Sequence, residues 1–452
     1  MKIIIVGCGK VGKKLAEQLS AEGHDITVID SNSKQVETIT TTSDVLGICG
    51  NGASFEIQRA AGIQDANLLI AATQSDELNL LCCLIARKSA GCHTIARVRS
   101  PLYSDEINYI KEELGLSMII NPERAAAREI SRLLRFPSAI QVDTFGKGRI
   151  EMITFIIPEG NMLCNKAVKN VAGASKSDIL IACIERDGEM YIPKGDFVMQ
   201  AGDVVSFVAT PKNADHFFKS ISLETNRVKD ALLLGGGEIA FYLAQILLGM
   251  GIDVKIMEKN RARCEELSEL LPGATILNGD VSHREFLLEE GLASAESVVA
   301  LTGLDEENVI LSMYAKTQTQ AKIVTKISSL DYFDEMIGSL NLDSIIDPKH
   351  ITTEIILQYV RAMQNSFGSN VVSLYRLNKD RVEALEFHVS EGSSITGKPI
   401  MELPLKKNIL IASIIRDNRA IIPRGNSVIR PDDAVIVVTT TGGYNDISDI
   451  LE

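Results

Sequence analysis

Over the first 120 residues, short and continuously apolar runs alternate with longer segments of helical periodicity. The apolar runs are rich in Ile, Val, Leu and Ala with little polar alternation, as strands buried on both faces of a parallel sheet are. They predict strands at residues 3–6, 26–30, 45–49, 67–73, 94–98 and 117–120, and helices between them at 13–22, 34–40, 54–61, 77–89 and 102–114. This alternation predicts an α/β domain with a Rossmann-like, doubly wound parallel sheet.

The pattern changes after residue 120. Asn121-Pro122 is predicted to start a helix that runs to about Arg135, where Phe136-Pro137 ends it. Short strands are then predicted at residues 150–157, 179–186, 191–193 and 203–209, separated by turn residues such as Gly and Asp. The second module is therefore expected to be a small α+β domain that is mostly β.

Both modules occur twice along the chain. The glycine-rich turn at residues 7–12 returns at 235–240, displaced by 228 residues, and Thr73 returns as Thr302. The small module also repeats, because the segment 181–195 returns at 411–425. The predicted domains are two Rossmann-like domains at residues 1–137 and 226–366, and two small domains at 138–225 and 367–452.

Composition excludes several classes of function. The chain has 452 residues and a net charge of −13, which argues against nucleic acid because phosphate binding needs clustered cations. Its eight cysteines show no metal-type spacing, so no metal is predicted and free thiols in a reducing cytosol are expected. The apolar segment 231–250 contains three glycines and Glu238, which predicts a strand and a helix rather than a membrane span.

The first glycine-rich turn has the full context of a dinucleotide-binding motif. It consists of Gly7, Cys8, Gly9, Lys10, Val11 and Gly12, between a predicted strand and a predicted helix. Gly7 allows the tight turn, Gly9 lets the backbone approach a pyrophosphate, and Gly12 lets the helix pack on the strand. The amides at the helix start would then face the phosphates.

Asp30, at the end of the second strand, is placed to accept hydrogen bonds from ribose hydroxyls. Its charge would repel a 2′-phosphate, so NAD(H) or ATP/ADP is favoured over NADP. The alternative is a Rossmann-type turn without a ligand.

The second turn keeps Gly235, Gly237 and the acid Glu258, with Ala240 in place of the third glycine. This substitution is within the tolerance of the motif, so a second nucleotide site is predicted. Arg261 and Arg263 follow Glu258 and slightly soften the exclusion of NADP there.

Further candidates lie at the predicted carboxyl ends of the fourth and fifth strands. Thr73 and Asp76 follow the fourth strand, and Thr302 is the counterpart of Thr73. Asp76 could instead be a helix N-cap. Arg97 and Arg99 are two residues apart and predicted to point the same way, which suits terminal phosphates, although either could pair with a nearby carboxylate.

No catalytic constellation is present in the sequence, so the protein is not expected to be an enzyme. The six histidines occur at no matched positions across the repeats, and no hydrolase, Walker or metalloprotease motif is found. An NAD-dependent oxidoreductase with a C-terminal substrate domain is the alternative, but it explains only one of the two turns.

The motifs together resemble the RCK (KTN) family, the regulators of potassium conductance. The resemblance lies in the turn at residues 7–12, Asp30, Gly50-Asn51-Gly52, the segment 73–79 and the small module, and it covers the whole chain. It implies that Asn51, and Asp280 in the second repeat, belong to the nucleotide sites. The small modules would be RCK C-terminal domains.

Two RCK units in one chain are similar to the peripheral subunits of Trk-type potassium uptake systems. The resemblance implies a cytoplasmic protein on the inner face of the membrane that binds a pore subunit and gates potassium flux according to bound NAD(H) or ATP/ADP. A homodimer would supply a ring of four RCK units. Another cation or carboxylate transporter is the alternative partner.

The helices predicted at 122–135 and 348–364 are candidate packing seams in this ring. Charge at Leu133 or Leu134 is expected to disrupt dimerisation.

Overall fold

The computed structural model describes residues 1–100, 103, 106–146, 148–171, 177–223, 228–328, 342–365, 371–377, 381–440, 444 and 446–452. These residues form two compact units. The first unit contains Met1–Ile130 and Asp230–Leu357, and the second contains Ser131–Lys229 and Gln358–Glu452.

The first unit contains two six-stranded parallel sheets. The strands of the first sheet are β1 (Lys2–Val6), β2 (Asp25–Asp30), β3 (Leu46–Cys49), β4 (Leu68–Ala71), β5 (His93–Arg97) and β6 (Met118–Ile120). Its helices are α1 (Lys10–Ala21), α2 (Ser33–Thr42), α3 (Phe55–Ala60), α4 (Asp76–Ala90), α5 (Ile107–Glu113) and α6 (Pro122–Arg135). The strand order β3-β2-β1-β4-β5-β6 reverses direction between β1 and β4, which is where doubly wound folds open a crevice.

The second sheet repeats this order as β14-β13-β12-β15-β16-β17. Its strands are β12 (Asp230–Leu234), β13 (Asp253–Glu258), β14 (Thr275–Asn278), β15 (Ser297–Ala300), β16 (Lys322–Lys326) and β17 (Ser344–Ile346). Its helices are α8 (Glu238–Gly249), α9 (Arg261–Leu270), α10 (Arg284–Glu289), α11 (Asp305–Gln318) and α12 (Pro348–Asn365).

The sequence pattern explains why these elements form. β4 and β15 are buried at every position, as continuous apolar runs in a sheet covered on both faces must be. α1 is amphipathic and buries Val11, Leu15 and Leu19 against the sheet. It ends before Gly23, which has a φ of +81° and supplies the left-handed conformation that commonly ends a helix.

The predicted doubly wound fold is confirmed, and the strand bounds agree to within about two residues. The predicted start of α5 at Leu102 lies outside the described residues. The apolar segment 231–250 divides into β12 and α8, as expected. Within the described ranges, no helix combines the length and the hydropathy that crossing a membrane requires.

The second unit contains two five-stranded antiparallel sheets with the orders β10-β9-β11-β8-β7 and β18-β19-β22-β20-β21. The first consists of β7 (Ala139–Phe145), β8 (Ile150–Ile156), β9 (Ile179–Arg186), β10 (Glu189–Tyr191) and β11 (Val204–Ala209), followed by α7 (Pro211–Ser220). The second consists of β18 (Val371–Leu377), β19 (Val382–His388), β20 (Ile409–Arg416), β21 (Arg419–Ile421) and β22 (Ala434–Thr439).

The two small sheets share one apolar core. A single buried cluster includes Met152 and Cys183 from the first sheet and Ala384 and Ile436 from the second. A Cβ added to Gly146 would lie 2.1 Å from Cδ1 of Ile415, so the two modules are in direct contact. The two small modules therefore pack directly against each other.

The sequence did not predict β7 and α7. The burial of β7 does not alternate between its two faces as a half-buried strand does, so the periodicity of two is weak. α7 carries clearer signals, since Thr210 caps it and Pro211 occupies its first turn. It buries Phe217 and Phe218 in the small domain.

The role predicted for Leu133 and Leu134 in dimerisation is wrong. Both side chains are at most 2% exposed and lie in the core of their own chain, so they offer no surface to a second chain. A charge there would destabilise the fold. The boundaries predicted at residues 137, 225 and 366 stay predictions, and the last two fall next to or within residues outside the described ranges.

Candidate functional site

A crevice of about 960 Å³ opens at the carboxyl ends of β1 and β4. Nine of the twelve site residues predicted in the first repeat line it: Gly7, Gly9, Lys10, Val11, Asp30, Asn51, Thr73, Arg97 and Arg99. Cys8, Gly12 and Asp76 lie behind this lining and shape it. The topology therefore gathers residues that are distant in sequence at the switch point of the sheet.

The glycine-rich turn forms the floor of the crevice. Gly7 has a φ of +103°, and a Cβ on Gly12 would lie 1.8 Å from the Gly7 carbonyl oxygen. Both positions therefore require glycine to close the turn. A Cβ on Gly9 would meet no protein atom within 4 Å, so nothing in the fold explains that glycine except access to the crevice.

The Asp30 carboxylate fixes this turn. Its Oδ2 accepts the Cys8 backbone N–H at 2.7 Å, and its Oδ1 accepts the Asn32 N–H at 2.8 Å. Carboxylate oxygens have further lone pairs, so they can also accept ribose hydroxyls at the crevice mouth. Burial, and secondarily the charge of Asp30, raise the pKa of the Cys8 thiol to about 12, so Cys8 is a neutral thiol and not a nucleophile at neutral pH.

A buried asparagine of the recurring segment 73–79, which was not among the predicted site residues, orders the turn after β4. The Asn79 Oδ1 accepts the Thr73 backbone N–H at 2.8 Å and the Thr73 hydroxyl at 2.7 Å. Its Nδ2 donates to the Arg97 carbonyl at 2.9 Å. Asn79 thus ties the end of β4 to the end of β5. It occupies matched positions in the two repeats, as Asn79 and Asn308, and that recurrence was visible in the sequence.

Asp76 is not the N-cap of α4. Ser75 caps this helix, because its Oγ accepts the Leu78 N–H at 3.2 Å. The Asp76 Oδ2 instead accepts the backbone N–H groups of Arg99 and Ser100 at 2.9 and 2.8 Å. Asp76 therefore positions the backbone that carries Arg99.

Arg97 and Arg99 form a cationic wall. β5 ends at Arg97, so Arg99 lies just beyond the strand, yet both residues line the crevice. Arg97 lies 3.9 Å from Glu123 and Arg99 lies 3.8 Å from Asp76, so both ion pairs are long. The Arg99 Nη2 also donates to the Gln74 carbonyl at 2.5 Å.

Within the described residues, the Nε atoms of Arg97 and Arg99 are buried without a hydrogen-bond acceptor. Burial is the main cause that lowers the pKa of Arg97. Unsatisfied buried guanidinium donors indicate an anionic ligand or water at this wall.

Asn51 lies in the crevice lining, and its side chain also stabilises its own turn. The Asn51 Oδ1 accepts the Ala53 N–H at 2.9 Å, and the Asp280 Oδ1 accepts the Ser282 N–H at 2.9 Å in the second repeat. The backbone N–H of Ser282 is the main cause that lowers the pKa of Asp280. Asparagine and aspartate form the same turn here, so the difference in sequence leaves the local backbone unchanged.

The second repeat preserves this scaffold. Gly235 has a φ of +105°, and the Glu258 Oε2 accepts the Gly236 N–H at 2.8 Å. Thr302 donates its backbone N–H to Asn308 Oδ1 at 2.8 Å, as Thr73 does to Asn79. Ala240 is fully buried in the place of Gly12. A Cβ on Gly237 would meet no atom within 4 Å, as at Gly9.

The charges in the second repeat are different. Arg263 occupies the position of Gln35, and its Nε donates to the Gly236 carbonyl at 2.9 Å. Its Nη2 lies 3.2 Å from the carboxylate of Glu238, the residue that replaces Lys10. The Arg263 side chain is 18% exposed, so it is packed against the second glycine turn. An internal ion pair thus stands where the first repeat has an open, cationic surface.

Comparison with known proteins agrees with this architecture. The sequence matches the TrkA-N domain family at residues 3–122 and 231–348, and the TrkA-C domain family at residues 152–222 and 384–452. A Trk system potassium uptake protein TrkA homolog from Archaeoglobus fulgidus is 32% identical over 453 residues, covering 100% of both chains.

Solved structures share the fold at low sequence identity. The GsuK RCK domain superposes with a TM-score of 0.63 at 16% identity, covering 97% of this chain and 92% of that one. The GsuK channel bound to NAD gives 0.63 at 15% identity, covering 97% and 77%. Because both domain families match twice and in the same alternating order as the sheets, the chain belongs to the TrkA family of tandem RCK-domain proteins.

Proposed function

We propose that the protein is a regulatory subunit of a Trk-type potassium uptake system and senses an adenine nucleotide bound in the first crevice. The observation that carries this proposal is the order of groups along that crevice: the Asp30 carboxylate, the glycine turn with α1 behind it, then Arg97 and Arg99. A nucleotide presents ribose hydroxyls and then a pyrophosphate in the same order, and ATP adds a terminal phosphate. The name of the Archaeoglobus relative supports the link to potassium uptake.

The residues present fit such a ligand. The volume of about 960 Å³ falls in the range of roughly 300–1,000 Å³ typical of small-molecule sites. The open space above Gly9 leaves room for a pyrophosphate against the backbone, and helix N-termini favour anions there. NAD(H), ATP and ADP all meet these requirements, and the description of GsuK as bound to NAD supports NAD(H). The charge of Asp30 disfavours the 2′-phosphate of NADP.

Gating would follow from the RCK arrangement. A homodimer would bring together four RCK units on the cytoplasmic side of a membrane pore subunit, as a closed ring. Nucleotides would change the flux by their difference in affinity for two ring states, typically ~1–3 kcal/mol. No chemistry on the nucleotide is required, so the proposed role is regulatory.

Calorimetric titration of NAD, NADH, NADP, ATP and ADP tests the proposed site. We expect one nucleotide per chain, weak or absent NADP binding, and loss of binding in Asp30→Ala. Glu258→Ala should retain binding, because Arg263 and Glu238 pair with each other beside the second glycine turn. Circular dichroism would show whether each variant is folded. A folded wild-type protein that binds none of the five would contradict the proposal.

Potassium flux into vesicles that contain the pore subunit and this protein tests the regulatory role. We expect the flux to depend on which nucleotide is added, and Asp30→Ala to abolish that dependence. A flux that is the same with and without every bound nucleotide would contradict regulation, even if binding itself is confirmed. Consumption of NADH in the same samples would favour an oxidoreductase instead.

A further inference from the structure

One cation in the first crevice comes from the second repeat. Lys349 is the second residue of α12, and it lines the crevice with Lys10, Arg97 and Arg99. Its counterpart in the first repeat is Glu123, the second residue of α6, so the two helix starts carry opposite charges. The helix start that reaches the first crevice is therefore the basic one.

Contacts between the two repeats hold Lys349 at this place. The neighbouring His350 Nδ1 lies 3.3 Å from the Lys14 Nζ on α1. On the other side, the Tyr242 hydroxyl of α8 donates to the Arg99 carbonyl at 3.2 Å and contacts Asn121 Nδ2 at 3.0 Å. Lys349 is thus positioned by the packing of secondary structure, and its place does not depend on a flexible loop.

The surroundings of Lys349 favour an anion. Its Nζ donates to the Ser328 carbonyl, which is a neutral partner. Burial, followed by the charge of Lys10, lowers its pKa, while Asp347 and Asp305 act in the opposite direction. Two ammonium groups brought together beside two arginines repel one another, and a negatively charged group bound among them relieves that repulsion.

We infer that Lys349 is a phosphate-binding residue of the first crevice, so that a nucleotide di- or triphosphate bound to the first repeat is also held by the second. This inference rests on the proposed nucleotide site. It deepens that site by naming a residue that acts with Arg97 and Arg99 to favour nucleotides with several phosphates over AMP or adenosine. The phosphate chain then contacts both Rossmann-like domains, so the number of phosphates determines whether the ligand links them.

Titration of adenosine, AMP, ADP and ATP into the full chain tests this inference. Lys349→Gln should weaken ATP binding about tenfold, the usual scale of one hydrogen bond to a charged group, and should leave adenosine binding nearly unchanged. Lys349→Arg should restore most of the ATP affinity because it keeps the charge. Lys88→Gln is the matched control, since Lys88 is exposed near the opposite end of α4.

The possible outcomes separate the inference from the proposed function. A loss for ATP larger than the loss for AMP, with rescue by arginine, supports the phosphate contact. Equal affinities of wild type and Lys349→Gln for ATP would overturn it and leave the nucleotide site intact. An equal loss for adenosine and ATP would also overturn it, because a structural role predicts that pattern. If the wild type binds no nucleotide, the proposed function itself fails.

Discussion

The two glycine turns of the first unit have the same backbone and different charges around it. In the first, Lys10 stands at the start of the helix and Gln35 leaves the glycine turn accessible. In the second, Glu238 takes the place of Lys10, and Arg263 pairs with it across the turn. The glycine φ angles of +103° and +105° show that the turns themselves are nearly identical.

The same turn motif therefore occurs with two different sets of charged side chains around it. Glycines, the acid at the end of the second strand and the buried asparagine build the strand–turn–helix unit in both repeats. Whether a turn of this kind can bind phosphates is expected to depend on side chains that the motif does not specify. Burial raises the pKa of Glu238, and Arg263 opposes this shift, so a charge pair already lies beside the second glycine turn.

Reversing the charge at the start of the helix should have the largest effect on nucleotide affinity. Lys10→Glu gives the first crevice the acid of the second, and we expect ATP affinity to fall by about 100-fold, since a full charge reversal beside phosphates acts in a partly shielded site. Calorimetric titration measures this. The matched variant Glu238→Lys should leave the affinity of the first crevice unchanged.

An equal loss of ATP affinity in Lys10→Glu and Glu238→Lys would contradict the assignment of phosphate binding to the first crevice. A second binding event in the double variant Glu238→Lys with Arg263→Gln would sharpen the assignment. It would show that the charge pair alone keeps phosphates away from the second glycine turn.

Removal of the buried asparagines should lower the stability of both repeats but weaken nucleotide binding in only one case. Asn79 and Asn308 are fully buried, and each ties the fourth strand of its repeat to the fifth. Asn79→Ala and Asn308→Ala should each lower the free energy of unfolding by ~2–3 kcal/mol, because buried backbone groups lose their partners. Denaturant titration measures this loss.

Only Asn79→Ala should also weaken nucleotide binding, since Thr73 and Arg97 line the first crevice. A comparable loss of binding in Asn308→Ala would mean that the two repeats are coupled or that both bind nucleotide.

Much of the scaffold could be predicted from sequence because it depends on local patterns. Continuous apolar runs gave the parallel strands, and the spacing of Gly7, Gly9 and Asp30 gave the floor of the crevice. The buried role of Asn79 was also accessible, because the same residue recurs six positions after Thr73 and after Thr302. Recurrence of a polar residue in two repeats indicates a structural hydrogen bond when its neighbours are apolar.

The features that distinguish the two glycine turns depend on tertiary contacts. No spacing rule brings Lys349 to a turn more than 330 residues earlier in the chain. Arg263 was recognised only as a charge near Glu258, and its bond to the Gly236 carbonyl depends on how α9 packs. From the sequence, Asp76 was considered as the helix cap, but Ser75 caps the helix in the structure. Both residue types favour the cap position, and the backbone conformation decides between them.

The smallest expected effect concerns a buried lysine that occurs only in the second repeat. Lys322 begins β16 and is 8% exposed, where the first repeat has the exposed His93. Burial lowers the pKa of Lys322 from 10.5 to about 8, although Asp343 opposes the shift. Below about pH 8 the folded protein therefore bears the full cost of a buried charge. As pH rises from about 8 towards 10.5, the unfolded chain binds more protons than the folded chain, so this cost is relieved.

Lys322→Met should raise the free energy of unfolding by ~1–2 kcal/mol near neutral pH, because methionine keeps the apolar stem and removes the charge. Asp343 retains Lys316 as a partner at 2.8 Å, so no acid is left unpaired. Scanning calorimetry of wild type and variant at neutral and at high pH measures the difference, which should shrink as pH rises. His93→Met, the matched change in the first repeat, should show no such trend. A variant that is less stable than wild type at neutral pH would mean that contacts of the ammonium outweigh its burial.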